Sequence, residues 1–385
     1  MLKPIRETDV AVVGGGPTGL AAAIAARLAG LEVTVVERSL PPIDKPCGEG
    51  IMPDGVAILE RLGVDIPAAE AVPFTGIEFV QGALRARGEF PGRPGLGVRR
   101  TALHAALQRR AEQLQIELLW GREVRGLHDL GLELTRGLIR SRYVVGADGL
   151  ESKLRRALGL DVAPIYRRFG IRRHFEVRPW NDHVEVHFAT GCEAYVTPVG
   201  GDQVCIAVLI HDPRLRYDDA LELFPDLARR IEHARAVDDP EGSSTVYRRT
   251  PRITRGRVAL IGDAAGSVDA ITGAGVTLGL HEALSLAGAL RTGDLSSYEA
   301  DYRRLMRIPG GMSSIMLAAN RRPGLRTMAL RTLATAPWVL SQLLGLHTRA
   351  FPFSFHAHDT LPGPPMDGWI PPGRDRPGRA DSPTA

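Results

Sequence analysis

The stretch DVAVVGGGPTGLAAAIAARLAGLEVTVVER, residues 9–38, changes its residue pattern twice. VAVV is a short apolar run of the kind that fills a buried strand. It is followed by Gly14-x-Gly16-x-x-Gly19 and an alanine-rich helical segment. EVTVVER then reads as a second strand, closing on Glu37 and Arg38. Each glycine has a physical task. Gly14 makes the tight turn out of the strand, Gly16 leaves room for a pyrophosphate, and Gly19 lets helix and strand pack closely. The helix start, with Pro17 and Thr18, offers free N–H groups and a partial positive charge to phosphates. Glu37 lies where a carboxylate accepts from ribose hydroxyls. The unit is expected to bind a dinucleotide, and by itself it does not separate FAD from NAD.

Two later segments repeat the strand-then-turn logic. RYVVGADGLESKLRRALG places Asp148-Gly149-x-x-Ser152-x-x-Arg155 after an apolar strand. GRVALIGDAAGSVDAITGAGVTLGLHEA places Gly262-Asp263 after another and runs through TGAG into a helix. An aspartate at the carboxyl end of a strand can reach a polyol hydroxyl. Gly273 and Gly275 open a helix whose N–H groups can face an electron-rich ring edge, and negative charge developing there is stabilised.

These three motifs together, spanning positions 9 to about 285, resemble the p-hydroxybenzoate hydroxylase-like FAD superfamily. That superfamily holds aromatic monooxygenases, geranylgeranyl reductases, FixC-like dehydrogenases and flavin-dependent halogenases. The resemblance implies FAD as cofactor, with Glu37 on the adenosine ribose and Asp263 on the ribitol. It implies that Asp148 and Gly149 serve a pyrophosphate. VRRTALHAAL resembles the family's arginine-containing helix start, which puts Arg100 near the FAD phosphates. The full cofactor set implied is Gly14, Gly16, Pro17, Thr18, Gly19, Glu37, Arg38, Arg100, Val124, Asp148, Gly149, Gly262, Asp263, Gly273, Gly275 and Val276. No second GxGxxG unit exists for NAD(P)H, so a nicotinamide donor must bind transiently. The tryptophans Trp120, Trp180, Trp338 and Trp369 lie far apart, which disfavours a halogenase.

Composition adds bounds. With 44% apolar and 24% charged residues, the chain has the balance of an ordinary soluble globular protein. A net charge of +4, without a lysine-rich block, gives no basis for nucleic-acid binding. Cys47, Cys192 and Cys205 lack metal-ligand spacing, so no metal is expected, and they suit a reducing cytoplasm. No apolar stretch reaches transmembrane length.

Between the second and third motifs, HVEVHF, CEAYVTPV and QVCIAVLI read as three strands separated by hairpin turns. FTGIEFV, residues 74–80, is expected to join them. The resemblance makes this meander the antiparallel sheet over the substrate side of the flavin. Tyr195 and Thr197 on it are candidate substrate contacts, like a strand motif of geranylgeranyl reductases that carries more aromatics. The plainer reading of Tyr195 is a half-buried sheet tyrosine whose hydroxyl meets water. His183, Glu185 and His187 share one face, read as the polar outer face of a half-buried strand rather than a metal site.

The expected fold is α/β: a three-layer Rossmann-like FAD domain, an inserted antiparallel substrate sheet and a helical C-terminal region. The FAD domain takes residues 1–72, 97–160 and 250–300, and the substrate sheet 73–96 and 161–249. Helices take 301–360, and a disordered tail rich in Pro, Gly and Arg takes 361–385. Residues 302–350 hold many arginines and no Asp or Glu. They read as a helical cap on the FAD domain or as a basic amphipathic surface on the inner face of a membrane.

KPCGEG, residues 45–50, sets Cys47 between a proline and glycines. The resemblance places this loop beside the flavin and likens it to the reductase and FixC-like branch. Cys47 is the candidate catalytic group, against the alternative of a small residue in a glycine turn. Glu49 reads as a solvated loop carboxylate, against the alternative of a proton donor. The expected function is an FAD-dependent monooxygenase of secondary metabolism, using NAD(P)H and O2 on an apolar aromatic or polyketide-like substrate. The alternatives are a reductase acting on C=C bonds of a lipid or isoprenoid, and a non-catalytic flavin-binding protein at a membrane surface.

Overall fold

The computed structural model of the chain describes residues 4–349. Its first sheet is parallel at the centre, in the order Val258–Leu260, Leu138–Gly146, Pro4–Val13, Val33–Glu37, Glu117–Trp120. Val10, Ala11, Val12 and Val13 are all buried, because a strand at the centre of a parallel sheet is covered on both faces. The helix Pro17–Leu28 packs on the helices Arg100–Gln113 and Gly275–Thr292. Its alanines at 21, 22, 23, 25 and 26 are buried, and their small side chains let these elements approach closely. At Gly19 the approach is closest: a Cβ there would lie 1.9 Å from the Gly14 carbonyl oxygen.

The second sheet runs Arg235–Ala236, Tyr166–Glu176, Gln203–Ile210, Cys192–Val199, His183–Ala189, Gly76–Gln81, Leu84–Glu89, with Glu241–Tyr247 also on Tyr166–Glu176. The three-strand meander is antiparallel. The strand within FTGIEFV joins it through a parallel pairing with His183–Ala189.

The sheet is covered on both sides, which corrects one expectation. His183, Glu185 and His187 are buried, not on a solvated outer face. Tyr217, Phe224, Leu227 and Ile231 cover one side of the sheet, and the ring of Phe224 meets His187 edge-on. Glu185 is held by His187 Nε2 at 2.7 Å, Trp180 Nε1 at 2.9 Å and Asn181 Nδ2 at 3.1 Å. Burial pushes the Glu185 carboxyl up, but these donors outweigh it and bring the pKa to about 2.

The helices Pro323–Thr335 and Pro337–Arg349 pack on the strand Leu84–Glu89. These two helices therefore cover the substrate sheet, while the preceding helix Arg307–Asn320 packs on the turn Ala270–Thr272 of the third motif. Leu330, Leu340 and Leu344 enter one apolar cluster with Met52, Phe74, Ile77, Val184, Val186 and Tyr195. No helix among the described residues is long and apolar enough to cross a membrane. The tail 361–385 and the end of the 301–360 region lie outside the described residues.

Candidate active site

The first glycine turn is braced by hydrogen bonds from two elements. The Gly15 N–H donates to Glu37 at 2.9 Å and the Ser39 N–H donates to it at 2.8 Å, so the carboxylate is fixed at the strand end. His104 Nε2 donates to the Gly15 carbonyl at 2.9 Å from the neighbouring helix. Arg100 opens that helix, and its Nη2 lies 3.9 Å from where a Cβ on Gly16 would stand. The Arg100 Nε is buried and has no hydrogen-bond partner among the described residues, which fits an anion that completes the site. Arg38 is exposed just beyond Glu37, and its charge reaches Glu123 beside Val124, which is half-buried.

The second and third motifs meet through an arginine. Arg155 is fully buried and donates to the carbonyls of Leu150, Asp263 and Ala264, at 2.8, 3.2 and 2.9 Å. Asp148 accepts from Ser152 at 2.6 Å and from the Leu154 N–H at 3.1 Å, so its carboxylate builds the turn that ends at Gly149. The Asp263 side chain is 42% exposed and pairs with Lys45 at 3.2 Å. Behind it, Glu282 accepts the Gly262 N–H at 2.7 Å. Burial and the charge of Asp263 push the Glu282 carboxyl up to about 8, against the Gly262 bond. Gly273 and Gly275 are exposed at the start of the long helix and Val276 is half-buried, so the helix N-terminus is open to solvent.

The Cys47 loop is clamped to the substrate sheet. Cys47 is half-buried and its Sγ accepts the Glu49 N–H at 3.4 Å. Thr197 donates to the Gly48 carbonyl at 2.7 Å, so its hydroxyl positions the loop. Glu49 corrects the expectation of a solvated carboxylate: it is buried, with a left-handed φ of 59°. It accepts from the Arg100 N–H at 2.9 Å and Arg172 at 2.9 Å, and meets His174 Nε2 at 2.7 Å. His174 Nδ1 in turn contacts Asp238 at 2.6 Å.

Glu49, His174 and Cys205 bring potential metal-ligand atoms within 4.8 Å of one another. The Arg172 guanidinium already balances the carboxylate, and burial pushes the Cys205 thiol well up, which disfavours the thiolate. The group is a hydrogen-bonded clamp.

Tyr195 lies in the apolar cluster, and its buried hydroxyl has no hydrogen-bond partner among the described residues, instead of meeting water. Behind it is an ion cluster that the sequence reading missed. Arg168 is bonded to both Glu193 and Asp269, and all three are buried. Asp269 caps the turn before Gly273 by accepting the Ile271 N–H at 3.0 Å. Arg168 thereby ties the flavin-side loop to the sheet. The signals for it were arginines within the strand YRRFGIRRHFE and Glu193 within the largely apolar CEAYVTPV.

Residues 7–293 match the family model for an FAD binding domain. The chain is 30% identical over 322 residues to a menaquinone reductase of Mycobacterium tuberculosis, covering 75% of this chain and 78% of that protein. It is 29% identical over 314 residues to a 3-amino-4-hydroxybenzoate 2-monooxygenase of Streptomyces cremeus, covering 74% and 79%. The solved p-nitrophenol 4-monooxygenase of Pseudomonas putida shares the fold, with a TM-score of 0.76 at 20% identity over 90% of this chain and 100% of that one. The family match runs through both the phosphate turn and the Asp263 turn, so the chain belongs to the FAD binding domain family and works as an FAD-dependent oxidoreductase.

Proposed function

We propose that this oxidoreductase hydroxylates a lipophilic, phenol-like aromatic or polyketide-like substrate, with NAD(P)H as reductant and O2 as second substrate. One oxygen atom enters the product and the other leaves as water, with two electrons from NAD(P)H. The observation that carries this reading is the hydroxyl of Tyr195, buried beside an apolar cluster without a hydrogen-bond partner among the described residues. A buried polar group without a partner suits a ligand oxygen. A hydrocarbon isoprenoid tail has no oxygen to offer, whereas the hydroxyl of a phenol does.

Bound FAD supplies electron transfer from NAD(P)H and the activation of oxygen. The chain's own residues bind, orient and exclude water. Burial and the nearby Glu193 charge raise the Tyr195 phenol well above its ordinary value, so it stays protonated and donates. Met52, Phe74, Ile77, Val184 and Val186 surround it with apolar surface and keep water out. The clamp of Glu49 and Arg172 holds the loop of Cys47 against the same sheet.

Tyr195→Phe tests this directly. The variant should keep its FAD and bind a lipophilic phenol about tenfold more weakly, the loss of one net hydrogen bond. Perturbation of the flavin absorbance on titration reads the Kd. An unchanged Kd contradicts the assignment.

A second reading, reduction of a C=C bond in a lipid, is favoured by the half-buried Cys47 in its loop and by the menaquinone reductase relative. The two readings differ in their need for oxygen.

A further inference from the structure

The helix Pro337–Arg349 is apolar on two sides. Leu340 and Leu344 face inward and are buried against the substrate sheet. Trp338 is 69% exposed, Leu343 44% and Leu346 55%. On the adjoining helix Pro323–Thr335, Arg326 and Leu330 face inward while Met328 is 60% exposed and Leu325 41%. A surface helix normally has one apolar stripe and a polar outer face. Two adjoining helices that both break this rule on the outside form a surface that another apolar phase can cover.

The charge around this surface identifies the phase. Residues 302–350 contain eight arginines and no Asp or Glu. Arg303 and Arg304 are paired with Glu299 and Asp301, and Arg326 donates inside the fold. Arg321 stacks over Tyr166. Arg322 and Arg331 are exposed, and among the described residues no carboxylate pairs with them. Exposed Trp, Leu and Met beside unpaired arginine are the chemistry of an interfacial helix on anionic headgroups.

We propose that the outer faces of Pro323–Thr335 and Pro337–Arg349 dock on the surface of an anionic bilayer. Trp338, Leu343, Leu346 and Met328 enter the headgroup–acyl boundary, and Arg322 and Arg331 meet lipid phosphates. The inner faces of the same helices, through Leu330, Leu340 and Leu344, roof the apolar cluster around Tyr195. Docking places that cluster one helix layer from the bilayer, so a lipid-soluble substrate has a short apolar route to it. The docking rests on the surface of these helices and not on which reaction the flavin performs.

Flotation of the full chain with phosphatidylglycerol–phosphatidylcholine vesicles, against phosphatidylcholine alone, tests this. Binding is expected only to the anionic vesicles, weakening as salt is raised because the Debye length shortens from about 10 Å at 0.1 M to about 3 Å at 1 M. Trp338→Ser with Leu346→Ser should weaken binding about tenfold or more through lost apolar burial. Arg322→Gln with Arg331→Gln should weaken it about tenfold and flatten the salt dependence. All variants should keep wild-type FAD content, melting temperature and turnover of a detergent-dispersed substrate. Equal binding to both vesicle types, or binding to neither because the tail covers the face, overturns the proposal. So does a solution dimer that the Trp338 and Leu346 changes dissociate in the absence of vesicle binding.

Discussion

Arg168→Met is expected to lower the stability of the folded chain by about 3–5 kcal/mol, the cost of leaving buried charge uncompensated. The Arg168 side chain is fully buried and is bonded to Glu193 and Asp269, which are buried as well. Methionine fills most of the volume but returns none of the charge. Glu193 is already pushed up by its burial, so it takes a proton first, and Asp269 then loses its anchor on the turn that precedes Gly273. Loss of flavin should accompany loss of stability, because that turn leads into the open helix start. Denaturant unfolding and FAD release together read the effect. Replacing all three residues, Arg168→Met with Glu193→Gln and Asp269→Asn, should recover part of the loss, since no charge then stays unpaired. A single-variant midpoint close to wild type would remove the cluster from any structural role.

Gly19→Ala is expected to give a chain that purifies without flavin. The added Cβ would stand 1.9 Å from the Gly14 carbonyl oxygen, a backbone atom that no side-chain rotation can move aside. Relief requires the helix Pro17–Leu28 to move off the strand, which carries the helix N-terminus away from the pyrophosphate position. The stability loss should be about 1–3 kcal/mol, that of an overpacked site. Gly126→Ala is the control, because nothing lies within 4 Å of a Cβ there. Equal flavin content in the two variants would contradict the reading of the turn.

The parts of this molecule that were legible in its sequence are those built from neighbours in the chain. The strand, turn and helix of residues 9–38 lie within one local unit, and the Asp148 and Asp263 turns each follow their own strand. The meander 183–210 announced itself by strand composition and hairpin glycines. What was misread depends on distant partners. Glu49 looks like a solvated loop acid until Arg172 and His174, more than 120 residues away, reach it from the sheet. The alternation of His183, Glu185 and His187 marks one face correctly. It carries no information that the segment 217–231 will cover that face. Glu282 sits in an apolar helix, and only the packing of that helix behind Gly262 gives its carboxyl a task.

The proposed hydroxylation is tested most directly by the fate of oxygen. Turnover of a lipophilic phenol with NAD(P)H under isotopically labelled O2 should give a product carrying one labelled oxygen atom, with one O2 consumed per product and no product under nitrogen. Product formed equally without air, carrying two added hydrogens and no label, would contradict hydroxylation and assign the site to C=C reduction.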